Sequence, residues 1–258
     1  MNIIARTLSV AKLTKQPRNG LRRWLHSLRS QAISGTRELD VLSAYAEWAP
    51  NYPAHAHNAL MRAEEQAMLG LLPDPRGKLA ADLACGTGRY ARILHERGAT
   101  RVLAADLSPD MLAHADKRDA DFVRADIARL PVNDNTFDLV VCGLAIGHVK
   151  ALERALQEIS RVMKRGGTCL YSDFHPLGHL AGWRREFNGS NGTRYSVEHH
   201  PHFYSDHDAA CRAAGLRITA VSEPIIGRDI TESFPGSDEL YRRWNGWPAV
   251  LVIRAERQ

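Results

Sequence analysis

Three acids, each closing or occupying an apolar run, are the residues of this chain best spaced to do chemistry. Asp82 lies inside the run 79–84, Asp106 ends the run 102–106, and Asp126 follows Phe122 and Val123. Between the first two, Gly86-Thr87-Gly88 breaks the chain, and a helical pattern follows with Tyr90, Ile93 and Leu94 on one face. That order reads as strand, tight loop and helix. Gly86 and Gly88 let the backbone approach a ligand where a Cβ would collide. The open N–H groups of the helix start then face what is bound. A carboxylate at the second strand end suits a ribose diol, in dinucleotides and adenosyl ligands alike. Asp82 disfavours a pyrophosphate and favours a ligand with an amino group. Asp126 suits an adenine amine. Gly86-x-Gly88-x-x-Ala91 also fits a dinucleotide fingerprint, so a dinucleotide-binding oxidoreductase stands as one alternative.

The elements that must position these acids alternate. Residues 38–77 read as two cap helices, the first carrying Tyr45, Trp48 and Tyr52 and ended by Pro50 and Pro53. Residues 78–174 read β-α-β-α-β, then a strand at 137–143, a helix at 151–163 and a strand at 168–173, with Gly166-Gly167 as the helix-to-strand turn. Residues 175–204 break the alternation. Asn188-Gly189-Ser190-Asn191-Gly192 is a turn signal between two polar-alternating arms, and predicts a β-hairpin lid inserted in a domain spanning 78–258. A helix at 205–214 and strands at 216–221 and 249–253 follow. The expected fold class is α/β: a Rossmann-like, doubly wound sheet with helices on both faces.

In these stretches the chain resembles the class I S-adenosylmethionine (SAM)-dependent methyltransferases, in particular the small-molecule branch related to ubiquinone/menaquinone-biosynthesis and malonyl-carrier-protein methyltransferases. The matching residues are Asp82-Leu83-Ala84-Cys85-Gly86-Thr87-Gly88, Asp106-Leu107-Ser108-Pro109-Asp110-Met111-Leu112, Ala125-Asp126-Ile127 with Leu130-Pro131, Phe137-Asp138-Leu139-Val140, and 158–167. Each motif alone is weak; five in order are specific. The resemblance implies a seven-stranded, mostly parallel sheet with a reversed last strand, SAM as methyl donor, and transfer to a small organic acceptor, with oxygen preferred over carbon or nitrogen. It places Asp82 near the amino acid portion of SAM and Ala84, Cys85, Gly86 and Gly88 along it by backbone. It gives Asp106 the ribose hydroxyls, Leu107 and Met111 the adenine faces, and Asp126 and Ile127 the adenine amine and ring. Cys142 and Gly143 would lie beneath the methyl, and Tyr45 and Tyr52 would close over the cofactor. Ala84 departs from the family, which usually has a glycine there. A SAM-binding, non-catalytic assembly subunit is the alternative from another class.

Histidines are the candidate bases, since an unperturbed imidazole titrates near ~6.5. His148 follows the fourth strand and His175 the fifth. A carboxylate acceptor would need no base, and the histidines would then shape or bind substrate. His199, His200 and His202 suggest a metal, but their spacing fits no common ligand set and no metal is expected.

Composition sets the remaining bounds. A chain of 258 residues with 44% apolar content buries one large core. Four scattered cysteines form no C-x-x-C, which points to a reducing compartment. The net charge of +5 comes from residues 1–37, a basic arm without acids, expected to be flexible. The rest is net negative, which argues against a nucleic-acid footprint. The turn after the fourth strand, Cys142-Gly143-Leu144-Ala145, also lacks the Asn/Asp-Pro-Pro-aromatic pattern of amine-directed DNA and protein methyltransferases. No run is long enough for a membrane span. A cytoplasmic location is expected; the arm read as a transit peptide would make it organellar, and Leu21, Trp24, Leu25 and Leu28 share one helical face that could seek a membrane surface.

Overall fold

The computed structural model describes residues 36–231 and 237–258. The basic arm, apart from its last two residues, lies outside them, and so do the transit-peptide and surface-helix readings. Arg37 opens strand β1 (Arg37–Leu39), followed by helices α1 (Val41–Trp48) and α2 (Ala59–Leu71). Both helices start on side-chain caps: Asp40 accepts the Ser43 N–H at 3.0 Å and Asn58 the Met61 N–H at 2.9 Å.

The sheet elements follow: β2 (Leu79–Leu83), α3 (Arg89–Glu96), β3 (Arg101–Asp106), α4 (Pro109–Ala113), β4 (Asp121–Arg124), β5 (Phe137–Cys142), α5 (Leu152–Val162) and β6 (Met163–Phe174). Then come α6 (Pro176–Leu180), β7 (Glu186–Asn188), β8 (Arg194–Val197), α7 (Tyr204–Ala213), β9 (Leu216–Ser222), α8 (Arg228–Thr231), α9 (Asp238–Trp244) and β10 (Val250–Arg257). Seven strands form one sheet in the order β4-β3-β2-β5-β6-β10-β9. All pairs are parallel except those of β10, which runs antiparallel to both β6 and β9. The last strand in sequence is therefore the reversed one, inserted one place in from the edge.

The centre of the sheet is buried on both faces, as a parallel sheet requires. Alternate residues of β5 serve opposite layers: Leu139 and Val141 pack with α2 and α3, Val140 and Cys142 with α5. Helix α5 presents Leu152, Ala155, Leu156, Ile159 and Val162 to the sheet, a helical stripe. The winding reverses between β2 and β5, so a crevice opens above their carboxyl ends.

One local expectation is corrected. Gly166-Gly167 is no turn between helix and strand; β6 starts at Met163, directly after α5, and passes through both glycines. Phe137 pairs with Met163 but Leu139 with Thr168, so the extra residues of β6 bulge out, with Gly166 at φ +73°.

A second, three-stranded sheet has the order β1-β8-β7. Strands β7 and β8 are an antiparallel pair, and β1 adds parallel to β8. Glu47 of α1 holds the connecting turn by accepting the Ser190 N–H at 3.1 Å and its hydroxyl at 3.0 Å. Ala44, Phe187, Tyr195 and Val197 form the small core between α1 and these strands.

Candidate functional site

The carboxyl ends of β2, β3 and β5 surround a cavity of about 430 Å³. The loop after β2 forms its floor. Gly88 sits at the helix N-cap with φ +89°, a left-handed conformation that glycine adopts without penalty. It has no side chain to cap α3, so the cap comes from the strand: Asp82 accepts the Ala91 N–H at 2.8 Å. Asp82 is buried, and burial pushes its pKa up to about 7.

Asp106 ties the loop to the next strand. Its two oxygens accept the Gly86 N–H at 2.7 Å and the Ser108 N–H at 2.8 Å. Burial raises its pKa, against which these backbone bonds favour the carboxylate. Ser108 in turn caps α4 by accepting the Met111 N–H. Leu107, Met111 and Ile127 give the cavity apolar walls. Asp126 reaches the rim, where one oxygen accepts the Ala128 N–H at 2.8 Å.

Ala84 stands at φ +52°, the left-handed region where an L-residue is strained by about 1–2 kcal/mol. Its position is the one the family usually fills with glycine. Ala84→Gly therefore removes strain at the cost of a more flexible unfolded chain, and a net gain of about 0.5–1 kcal/mol is expected. Urea unfolding checks it; a variant less stable than the parent would show that Ala84 is unstrained.

A buried polar network that no local pattern announces supports this floor. Glu64 of α2 is fully buried and accepts from Arg89 at 2.7 Å, Tyr90 at 2.8 Å and Ser172 at 2.6 Å. The Ser172 hydroxyl accepts the Leu144 N–H at 2.9 Å, and Leu144 is itself held at φ +54° beside the cavity. Gly143 is needed for space, because a Cβ there would lie 2.3 Å from the Tyr90 ring.

The wall opposite the loop comes from α1 and the residues before β7. The Tyr45 hydroxyl lies 3.0 Å from His148 Nε2, and Arg185 Nη1 donates to Tyr45 at 2.5 Å, to His148 Nε2 at 2.7 Å and to the Leu144 carbonyl at 3.2 Å. His148 Nδ1 faces the Glu198 carbonyl at 3.0 Å, which makes Nδ1 the protonated nitrogen and Nε2 the acceptor. Burial, then the neighbouring Arg185 charge, push the His148 pKa down to about 3. Burial likewise keeps the Tyr45 phenol protonated.

Of the residues singled out from the sequence, Tyr45, Asp82, Ala84, Cys85, Gly86, Asp106, Leu107, Met111, Asp126, Ile127, Gly143 and His148 line the cavity, as does Tyr52. Gly88, Cys142 and His175 do not. Cys142 points into the core beneath β5. His175 caps α6 by accepting the Leu177 N–H at 3.3 Å, and its Nε2 pairs with Glu223 at 3.0 Å. The three histidines after β8 diverge: His199 pairs with buried Asp173 at 3.2 Å, His200 meets Glu198 at 3.4 Å and His202 Nε2 meets the Val149 carbonyl at 2.8 Å. Among the described residues no group of His, Cys, Asp and Glu is arranged to hold a metal. The four cysteines are free and buried, and no described helix is long and apolar enough to cross a membrane.

The cavity's donor set fits a nucleoside with an amino acid tail. A carboxylate stands at a strand end, the start of α3 faces inward, and the buried Thr87 hydroxyl on the lining has no protein partner.

Residues 81–171 match the family model described as "Methyltransferase domain". A malonyl-[acyl-carrier protein] O-methyltransferase of Pectobacterium atrosepticum is 32% identical over 173 residues, covering 66% of this chain and 67% of the relative. One from Enterobacter lignolyticus is 35% identical over 134 residues, covering 51% of this chain and 52% of the relative, so that match spans about half of that protein's length. The crystal structure of an S-adenosylmethionine dependent methyltransferase from Mesorhizobium loti superposes with a TM-score of 0.62 at 26% identity, covering 76% of this chain and 98% of that one. The matched methyltransferase domain, the relative covered over two thirds of its length and the structural likeness together show that the chain belongs to the class I SAM-dependent methyltransferase superfamily.

Proposed function

We propose that the protein transfers a methyl group from SAM to an oxygen of a small organic acceptor. The observation that carries the cofactor half is Asp106: a half-buried carboxylate at the strand end, already fixed by two backbone donors, with lone pairs left for a ribose diol. Bound in the cavity, SAM would supply an electrophilic methyl on its sulfonium. Asp106 would hold the ribose, Leu107, Met111 and Ile127 would cover the adenine, and Asp126 would reach its amine. The start of α3, with Thr87 and Arg89 beside it, would meet the amino acid portion. Tyr45, Tyr52 and Leu144 line the far end.

The preference for oxygen rests on both candidate histidines being engaged already. His148 Nε2 already accepts from Arg185, and His175 is committed outside the cavity. A nucleophile that arrives as an anion, such as a carboxylate, needs no proton removed. The malonyl-carrier-protein relatives bear the name O-methyltransferase, in keeping with this reading. Isothermal titration with SAM and, separately, NAD tests it. Micromolar SAM binding with no NAD binding is expected; NAD binding in preference to SAM would return the fold to the oxidoreductase alternative. Formation of S-adenosylhomocysteine only in the presence of an acceptor separates an enzyme from a binding subunit.

A further inference from the structure

We infer that a second, aromatic cavity beside the first is the acceptor site, and that Arg185 there reads a carboxylate on a flat aromatic acceptor. This rests on the methyltransferase reading and deepens it. The second cavity measures about 480 Å³ and shares Tyr52 and Arg185 with the cofactor cavity as a common wall. Its volume lies in the range of small-molecule sites.

Rings form part of its walls, beside the aliphatic Leu60, Met61 and Leu240. Trp48 and Phe187 stack with centroids 4.6 Å apart and planes 3° apart. Phe174 and Trp183 meet edge-on at 4.7 Å. Such surfaces reward a planar guest beyond simple area burial. Phe174 is the last residue of β6, so the cavity stands at the carboxyl end of the sheet, next to the strand that delivers Gly143 and Leu144.

Two arginines line the cavity: Arg184 is exposed and donates to the His179 and Trp183 carbonyls, so the half-buried Arg185 supplies the oriented charge. Its guanidinium lies 4.5 Å over the Phe174 ring, and its hydrogen bonds to protein are all made by Nη1. Every one of those partners is neutral: a phenol, a backbone carbonyl and an imidazole that burial keeps uncharged. Among the described residues no carboxylate forms an ion pair with Arg185. Glu186, the acid of the same cavity, is turned to Arg194 at 3.7 Å. A partly buried cation held only by neutral acceptors is costly, and an anionic guest relieves that cost. The Nη2 and Nε donors remain for a bidentate bond to a planar carboxylate. The three neutral acceptors around Nη1 fix the fork's orientation, so its open edge is set before the guest arrives.

The test is titration of the full chain, saturated with S-adenosylhomocysteine, with 1-naphthoate, 1-naphthamide and octanoate. Naphthoate is expected to bind at least about tenfold more tightly than the uncharged naphthamide, and about tenfold more tightly than the non-aromatic octanoate. Arg185→Gln should bring the naphthoate-to-naphthamide ratio to about one. Arg185→Lys, which keeps the charge but loses the fork, should retain an intermediate preference and serves where the glutamine variant does not fold. Trp183→Leu should erase the advantage over octanoate while leaving the carboxylate preference. Equal binding of naphthoate and naphthamide by the parent, no binding of naphthoate, or a preference that survives Arg185→Gln overturns the proposal. Failure of the parent to take up S-adenosylhomocysteine would instead strike the cofactor reading, and the two failures are distinct.

Discussion

Asp106→Ala is expected to weaken SAM binding by at least about 100-fold. The side chain is asked to make two charge-assisted hydrogen bonds to the ribose, each contributing about 1.5–3 kcal/mol, and about 2.8 kcal/mol already amounts to 100-fold. The same carboxylate holds the Gly86 N–H at 2.7 Å and the Ser108 N–H at 2.8 Å, so its removal also loosens the loop that lines the cavity. Two partly buried donors lose their acceptor, at about 1–3 kcal/mol each where water cannot replace it. Affinity and stability should therefore fall together. Asp106→Asn separates the two contributions. Its single amide oxygen can keep one backbone donor, while its NH₂ faces the other, and it has no charge to offer a diol. The asparagine variant should melt closer to the parent than alanine does, yet bind SAM nearly as poorly. Calorimetric titration beside thermal unfolding reads both quantities. SAM affinity unchanged in the alanine variant would falsify the assignment of this strand end to the ribose.

The loop that floors the cavity was legible because its parts are local. Asp82, Gly86 and Gly88 lie within seven residues, and their spacing alone requires a strand, a turn and a helix start. Asp106 was legible for the same reason: an acid that ends an apolar run must sit at a strand's carboxyl end. What local spacing conceals is what each side chain does there. Asp82 caps α3 through Ala91, a bond that makes up for the missing side chain of Gly88 and could not be read without the turn's geometry. Gly166-Gly167 carries a turn signature, but a bulge in β6 satisfies the same glycines. His175 directly follows a strand end, as a catalytic base would, yet its ring nitrogens are spent on the α6 N-terminus and Glu223.

Arg185 and Glu64 were invisible for a different reason. Arg185 meets Tyr45 across 140 residues of sequence, and Glu64 meets Ser172 across 108. In sequence, nothing sets Glu64 apart from its neighbour Glu65. Only the packing of α2 over β6 and β10 turns one of the two glutamates inward, against Arg89, Tyr90 and Ser172. Residues whose partners come from distant elements leave no periodic trace, and acceptor sites are built mainly from such residues.

Glu64→Ala should be strongly destabilising, costing about 3–5 kcal/mol. The carboxylate has no solvent exposure, and the Arg89 side chain that pairs with it at 2.7 Å is only 9% exposed. Removing the acid leaves that guanidinium with Glu65 at 3.4 Å as its remaining ion-pair partner. It also leaves the Tyr90 and Ser172 hydroxyls without their acceptor. For a chain of this size the loss corresponds to a fall in melting temperature of about 10 °C. Glu64→Gln keeps an acceptor oxygen for one of the hydroxyls and no charge for Arg89, and should lie between parent and alanine. The double variant Glu64→Leu/Arg89→Leu decides what the loss represents. If the single change is costly because a charge is stranded, removing both charges should recover much of the stability, since a packed apolar pair often equals a buried ion pair. If the double variant is as unstable as Glu64→Ala, the hydroxyl bonds to Tyr90 and Ser172 hold the floor and the ion pair does not. In either case Leu144, strained at φ +54° and anchored through Ser172, is the residue through which damage at Glu64 should reach the cavity. Its backbone N–H should then exchange with solvent faster in Glu64→Ala than in the parent. Unchanged protection at Leu144 in a folded Glu64 variant would show that the network stabilises α2 alone and leaves the site untouched.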